Sequence, residues 1–463
     1  MRGDKGSRGE KTAQRTDPGK DSSASRGAPS LSRRGFVRSS SALAASAWLP
    51  GLPFGAHSTP RSPWITRRGT IKIGLLWSLT GHLSVIEKPS RDVGLFWIDS
   101  INKGGGIAGI LIEPIVIDAM SDMKTYRQGA LDMMLKENVL AIFGGYTSAS
   151  RRAVMPLVTL NGGLFYYPTC YEGRECWQHI ICTGPIANQH SFDLIPYMVE
   201  NYGPRAYFIG SNYVWPKESN RNARRWLKDA GGELVGEAYM PLGLDHFDPI
   251  FRDVKRQHPD WIFSTVIGDS DVYLRQQYIK AGFTPDKLPT ASLTTSEMEV
   301  KMMGFEYGEG HILSAPYFQS LSNPANERFV ERFLDSPYGE SGVTHFNMEE
   351  TYLAFLYFQK AVERIVMAEG PPALTPANVR RYSADLKLAA DESPEGAVHL
   401  DANNFNSWLT PKIGRFTGKG QIEVLFEQKH KIPPLPYLLY PNRGRCEEDG
   451  LHLPGGKVVK AAS

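Results

Sequence analysis

A chain of 463 residues with 41% hydrophobic composition can bury a large core, and its length fits two or three domains rather than a disordered polypeptide. The formal net charge of +3 is concentrated at the start: residues 1–40 carry ten Lys/Arg against four Asp/Glu, residues 41–56 carry no charge, and the remainder is slightly acidic. That acidic part lacks the basic footprint of a nucleic-acid binder, which excludes DNA and RNA as expected partners.

The basic start contains Ser32-Arg33-Arg34-Gly35-Phe36-Val37-Arg38, followed by an uncharged run from Ser39 to Ala56 rich in Ala, Ser and Leu. It looks like a twin-arginine export signal, with cleavage expected near Gly55-Ala56 and a periplasmic destination. The run is too short for the roughly 20 apolar residues of a bilayer span, and Pro50 and Pro53 interrupt it. Residues 1–56 are therefore read as a signal region.

From Ile71 short apolar runs alternate with amphipathic segments. Strands are expected at Ile71–Trp77, Ile110–Asp118 and Val139–Phe143, and helices at Glu87–Lys103, Ser121–Lys136 and Ser150–Leu160. Such alternation predicts a parallel sheet with helices on both faces. Cys170, Cys176 and Cys182 follow at six-residue spacing, with Cys446 far behind. Zinc sites usually bring a ligand pair two to four residues apart, so no metal is expected. A Cys170–Cys176 or Cys176–Cys182 bridge and unpaired buried thiols both remain open.

The pattern restarts after Thr183-Gly184-Pro185. Helices are expected at 188–201, 221–230, 249–258 and 271–281, and strands at 205–210, 234–240, 261–267 and 289–293. Near Ile312–Pro316 the chain is expected to cross back, with helices at 324–334 and 349–368. A β-hairpin is expected around Thr417-Gly418-Lys419-Gly420, and the polar tail beyond Pro441 is expected to lack structure. The expected architecture is α/β, two doubly wound Rossmann-like lobes joined by a multi-strand hinge. An N-terminal lobe takes 70–187 plus 313–372, a C-terminal lobe 188–312 plus 373–440, and 441–463 is the tail. Ligands in open α/β sheets bind at the carboxyl ends of the strands, here in the cleft between lobes.

Gly104, Gly106 and Gly109 satisfy the spacing of a dinucleotide fingerprint. They follow a helix and lead into a strand, however, whereas the phosphate-binding version follows a strand and opens a helix. They are read as a tight turn, and no cofactor is expected.

Five ordered blocks carry a family resemblance: Asn102-Lys103-Gly104-Gly105-Gly106-Ile107, Gly144-Gly145-Tyr146-Thr147-Ser148, Tyr167-Pro168-Thr169-Cys170-Tyr171-Glu172-Gly173, Gly210-Ser211-Asn212-Tyr213-Val214-Trp215-Pro216 and Ala291-Ser292-Leu293-Thr294-Thr295-Ser296-Glu297. From Ile71 to about Tyr440 the chain resembles the urea and short-chain amide branch of the type I periplasmic binding proteins. The Tyr167 and Thr294 blocks are closest to the amide-sensing regulator of aliphatic amidase operons. The Gly268-Asp269-Ser270 turn and Asn347-Met348-Glu349-Glu350-Thr351-Tyr352 are more similar to urea transporter receptors, and the export signal favours the receptor.

The resemblance implies a pocket of Tyr146, Ser148, Tyr167 and Thr169 from one lobe and Tyr213 with Trp215 from the other. Trp215 stands where the amide-binding family has tyrosine. Hydroxyls donate or accept toward an amide carbonyl and its N–H groups, and flat aromatic walls suit a planar ligand. Asp269 and Glu297, after second-lobe strands, are candidates to accept ligand N–H groups, with helix N-capping as the alternative. The implied partners are a small neutral amide or urea and the membrane permease of an ABC transporter. An amide-sensing regulatory protein and an amino-acid receptor are the alternatives. No G-x-S-x-G elbow and no H-E-x-x-H is present, so no catalysis is expected.

Overall fold

Ile71, Ile73 and Leu75 point to one face of the first strand and Leu76 to the other, yet all four are fully buried. A strand apolar on both faces belongs inside a sheet covered on both sides. The computed structural model describes residues 62–175 and 178–439, with the backbone alone of 451–452 and 458–459. The expected signal region with Arg33 and Arg34, and the residues Cys176 and Cys446, lie outside the described residues.

The first lobe runs β1 (Thr70–Trp77), α1 (Ser84–Lys103), β2 (Leu111–Asp118), α2 (Met123–Leu135), β3 (Ile142–Gly144), α3 (Ser148–Leu160), β4 (Phe165–Tyr167) and β5 (Ile180–Cys182). Its five strands are parallel in the order β2-β1-β3-β4-β5, so the order reverses beside β1. The glycines after α1 form the expected turn. Gly106 has φ +84°, and a Cβ there would lie 2.2 Å from the Ile110 carbonyl oxygen, so the position admits only glycine.

The second lobe runs α4 (Ala187–His190), α5 (Leu194–Tyr202), β6 (Arg205–Ser211), α6 (Val214–Asp229), β7 (Glu233–Met240), α7 (Asp248–Gln257), β8 (Trp261–Thr265), α8 (Asp269–Lys280), β9 (Thr290–Ser292), α9 (Glu297–Met303), α10 (Phe305–Gly308) and β10 (Ile312–Ala315). The helix expected over 188–201 is thus two helices, and α6 begins seven residues before its expected start, which places Trp215 in its first turn. After α11 (Pro324–Leu334), α12 (Phe346–Glu369) and α13 (Pro376–Ser383) come β11 (Lys387–Leu388), β12 (Val398–Leu400) and β13 (Ser407–Trp408), then the hairpin β14 (Lys412–Phe416) and β15 (Ile422–Glu427). In the tail, β16 (Leu451–His452) pairs antiparallel with β17 (Val458–Val459), where no structure was expected.

The second sheet has the order β15-β14-β10-β9-β8-β6-β7. Two expected lobe boundaries differ from this arrangement. The return at 313 falls inside β10, which still pairs parallel with β9 in the second sheet. Residues 373–409, expected in the C-terminal lobe, pack on the first: Leu374, Leu388, Val398, Leu400, Phe405 and Leu409 share a core with Ile71, Ile73 and Leu75. The Cys182 N–H donates to the Phe405 carbonyl at 2.9 Å and fastens that segment to β5. Only the hairpin β14–β15 returns to the second sheet, antiparallel to β10. Both lobes, among the described residues, belong to one compact unit. No helix among the described residues is long and apolar enough to cross a membrane.

Candidate functional site

Both sheets turn their carboxyl ends toward each other, and the lobes touch there. The core that holds Leu76, Tyr146 and Tyr167 continues into Trp215, Phe208 and Leu293 of the second lobe. At the rim, Arg174 of the first lobe pairs with Glu218 of α6 at 2.8 Å. A Cβ on Gly268 would lie 2.8 Å from the His82 carbonyl oxygen across the cleft.

Tyr146 follows β3 and is 7% exposed. Its hydroxyl has no hydrogen-bond partner among the described residues. Burial, then Glu299, Cys170, Tyr213 and Tyr167, push its phenol well above the usual range, so its surroundings come from both lobes. Tyr213, the residue before α6, is half-buried and likewise without a hydroxyl partner among the described residues. Burial raises its phenol too, with Tyr167, Cys170 and Glu172 as neighbours.

The other first-lobe candidates spend their polar atoms on the protein. The Tyr167 hydroxyl donates to the Tyr146 carbonyl at 2.7 Å and so fixes the Tyr146 loop. The Ser148 hydroxyl donates to Glu172 Oε2 at 2.5 Å and accepts from an Arg151 nitrogen at 2.9 Å. Thr169 donates to Asn347 Oδ1 at 3.1 Å. Behind this wall the fully buried Arg151 pairs with Glu172 at 2.8 Å and Glu175 at 2.9 Å, with half-exposed Arg152 3.1 Å from Glu172. Burial alone would raise the Glu172 carboxyl, but Arg151, Arg152 and Ser148 outweigh it and hold the group below its ordinary range. The Arg151 guanidinium also lies over the Tyr167 and Tyr171 rings, 5.1 and 4.6 Å from their centres.

Trp215 is buried in the first turn of α6 and forms apolar wall. Asp269 starts α8 half-buried at the rim, where burial raises its carboxyl and His82 of the opposite lobe opposes the rise. Glu297 starts α9 but faces the segment that leads out of β10. Its Oε1 accepts the Gln319 N–H at 2.8 Å, its Oε2 has no partner, and burial pushes its carboxyl up to about 7. The structure thus gathers Tyr146, Tyr167, Thr169 and Tyr213, and sets Asp269 and Glu297 apart from them.

Glu299, two residues on, is the α9 carboxyl beside Tyr146, and sequence reasoning missed it. It closes a capping box with Ser296, whose N–H donates to Glu299 Oε2 at 3.0 Å. The Ser296-x-x-Glu299 spacing was a legible signal for the box. Burial, then Asp271, raise the Glu299 carboxyl to about 8, which leaves it mostly protonated at neutral pH. Arg151, Asn347 and Glu350 were missed as well; only the last two lay in a quoted block.

Cys170 and Cys182 are free buried thiols, so neither joins a bridge. Among the described residues no group of three or more His, Cys, Asp or Glu can hold a metal ion.

Residues 71–443 match the family described as periplasmic binding protein domain. A solute-binding protein of an ABC transporter from R. palustris, solved with 4-hydroxybenzoate, has a similar fold with a TM-score of 0.72. It is 18% identical, and the likeness covers 80% of this chain and 100% of that one. The Leu/Ile/Val-binding protein homolog 6 of Brucella suis is 22% identical over 285 residues, 56% of this chain and 68% of that protein. A limonene hydroxylase of Geobacillus stearothermophilus is 28% identical over 136 residues, 29% of this chain, and the match spans only 23% of that protein's length.

Proposed function

The chain belongs to the periplasmic binding protein domain family, the solute receptors of ABC-type uptake systems, and from that premise we propose that it binds urea or a short-chain aliphatic amide. Lobe closure over the ligand then presents it to a membrane permease. One observation carries the ligand class. Two tyrosine hydroxyls from opposite lobes, Tyr146 and Tyr213, lack protein partners among the described residues, while the nearby buried cation Arg151 is already committed to Glu172 and Glu175. An uncharged ligand with both donors and acceptors satisfies such hydroxyls without stranding a charge. Free amino acids and benzoates each bring a carboxylate that calls for an uncommitted cation or a row of backbone donors.

The amino-acid reading keeps one supporting observation, since Asp269 at the rim can receive an ammonium group, and the Brucella relative carries a Leu/Ile/Val-binding name. Calorimetric titration of the mature protein with urea, formamide, acetamide, propionamide, leucine and 4-hydroxybenzoate separates the readings. Heat from the neutral ligands alone is expected; heat from leucine or 4-hydroxybenzoate alone would overturn the proposal. Binding without reaction also predicts no ammonia release from urea or amides. Export through the twin-arginine route predicts that replacing Arg33 and Arg34 by Lys leaves precursor in the cytoplasm, and normal periplasmic recovery would contradict it.

A further inference from the structure

Helix α12 enters the lobe junction with a polar face that its own packing does not use. Asn347 and Glu350 lie three residues apart, hence on one face of the helix. They are 1% and 0% exposed. Asn347 Oδ1 accepts from Thr169, and its Nδ2 then has no hydrogen-bond partner among the described residues. Neither carboxyl oxygen of Glu350 has one either. The backbone carbonyl of Glu350 accepts from the Thr183 hydroxyl at 2.7 Å, which pins this turn of the helix to the first lobe.

The same turn neighbours the cleft. Burial and then Glu350 push the Cys170 thiol up, so the Glu350 carboxyl lies within electrostatic reach of that residue. Cys170 in turn acts on Tyr146 and on Tyr213, the two tyrosines with free hydroxyls. A continuous set of neighbours therefore runs from Tyr213 and Tyr146 through Cys170 to Glu350, and from Thr169 to Asn347. Buried polar groups almost always find a partner, and a face carrying three unpaired polar atoms beside a ligand cleft is built to meet one.

We infer that Asn347 and Glu350 form the floor of the ligand site, Asn347 Nδ2 donating to the carbonyl oxygen of a small neutral amide or urea and the Glu350 carboxyl pairing with its N–H group. The inference rests on the ligand class proposed above and adds the element that reads the two ends of the amide. Burial, then Glu395, push the Glu350 carboxyl well above its usual range, a shift that favours the uncharged form beside an uncharged ligand.

The test is calorimetry on the mature protein with urea, formamide and acetamide as probes, using Asn347→Asp, Glu350→Leu and Glu350→Gln. Asn347→Asp keeps the oxygen that Thr169 needs and removes the donor. With a probe that binds the parent, Asn347→Asp and Glu350→Leu should each weaken affinity by at least about fivefold, and Glu350→Gln should restore part of the loss. Thermal melts identify folded variants, and either of the first two decides alone if the other does not fold. If the parent binds a probe and the folded variants match it within about twofold, α12 is not part of the site, although the amide reading stands. If the parent binds none of the three probes but takes leucine or 4-hydroxybenzoate, the ligand class fails and the inference falls with it.

Discussion

Gly268 ends the loop after β8 at φ +65° and ψ −148°, a backbone region essentially reserved for glycine. Gly268→Ala has two separable costs. Backbone strain acts in every folded arrangement of the lobes and should lower the unfolding free energy by about 1–3 kcal/mol. The second cost exists only where the lobes meet. The new Cβ would lie 2.8 Å from the His82 carbonyl oxygen, where ordinary contact begins at 3.4 Å, and a backbone atom cannot swing aside as a side-chain tip can. Overpacking of this kind costs about 1–2 kcal/mol, borne by the closed form alone, so affinity should fall about 5- to 30-fold. Thermal unfolding of the ligand-free protein reads the first cost, while calorimetry and ligand-induced compaction in small-angle scattering read the second. A variant that loses stability yet binds and compacts like the parent would show that the Gly268–His82 contact is not part of the ligand-bound state.

Removing the cation behind the cleft by Arg151→Met takes from the buried Glu172 and Glu175 the guanidinium that pairs with both, and should cost about 3–5 kcal/mol in guanidinium chloride denaturation; a loss below about 1 kcal/mol would mean that their remaining partners, Arg152 among them, suffice. Tyr146→Phe and Tyr213→Phe each delete a hydroxyl that no described protein group uses, so each should weaken ligand binding by about 0.5–1.5 kcal/mol while leaving the thermal midpoint in place. Urea and acetamide have few non-hydrogen atoms, and at about 1.5 kcal/mol per atom their binding is bounded near 6 kcal/mol, a dissociation constant on the order of tens of micromolar; a nanomolar constant would point to a larger ligand. Burial holds Glu87 and Glu299 at about 8 and Glu297 and Glu395 at about 7, all above the 4.5 of an unfolded carboxyl, so the unfolded chain binds fewer protons and stability should be lost as pH rises through 7 to 8. His190 and His345, held near 4 and 3 by burial, act in the opposite sense only below about pH 6.5. Thermal midpoints should therefore decline from pH 6.5 to 8, and a rising profile over that range would refute the assignment.

Periodicity made the individual elements legible, because runs such as Ile71–Trp77 and amphipathic stretches such as 324–334 carry their period locally. Lobe membership was less legible for a physical reason. Ile312–Ala315 is a short, fully buried strand that suits the interior of either sheet, and its pairing with β9 on one side and β14 on the other assigns it. Val398–Leu400 and Ser407–Trp408 are shorter still, and their place on the first lobe depends on Phe405, Leu400 and Leu409 joining a core built some 300 residues earlier. In the cleft, the aromatic loops after β3, β4 and β6 stand out as residue types at strand ends. Glu299, Arg151, Asn347 and Glu350 lie inside helices, where a polar residue looks like ordinary solvated surface until the neighbouring lobe covers it.

The antiparallel hairpin β14–β15 completes the second sheet from residues 412–427, although the rest of that sheet comes from 205–315. During synthesis β10 therefore waits with an unpaired edge while almost a hundred further residues emerge, and the second lobe cannot finish folding until residue 427 has left the ribosome. Contacts so distant in sequence make folding slow. A C-terminally truncated chain would expose the β10 edge as a template for aggregation. Each molecule thus completes its second lobe only after residue 427 has emerged.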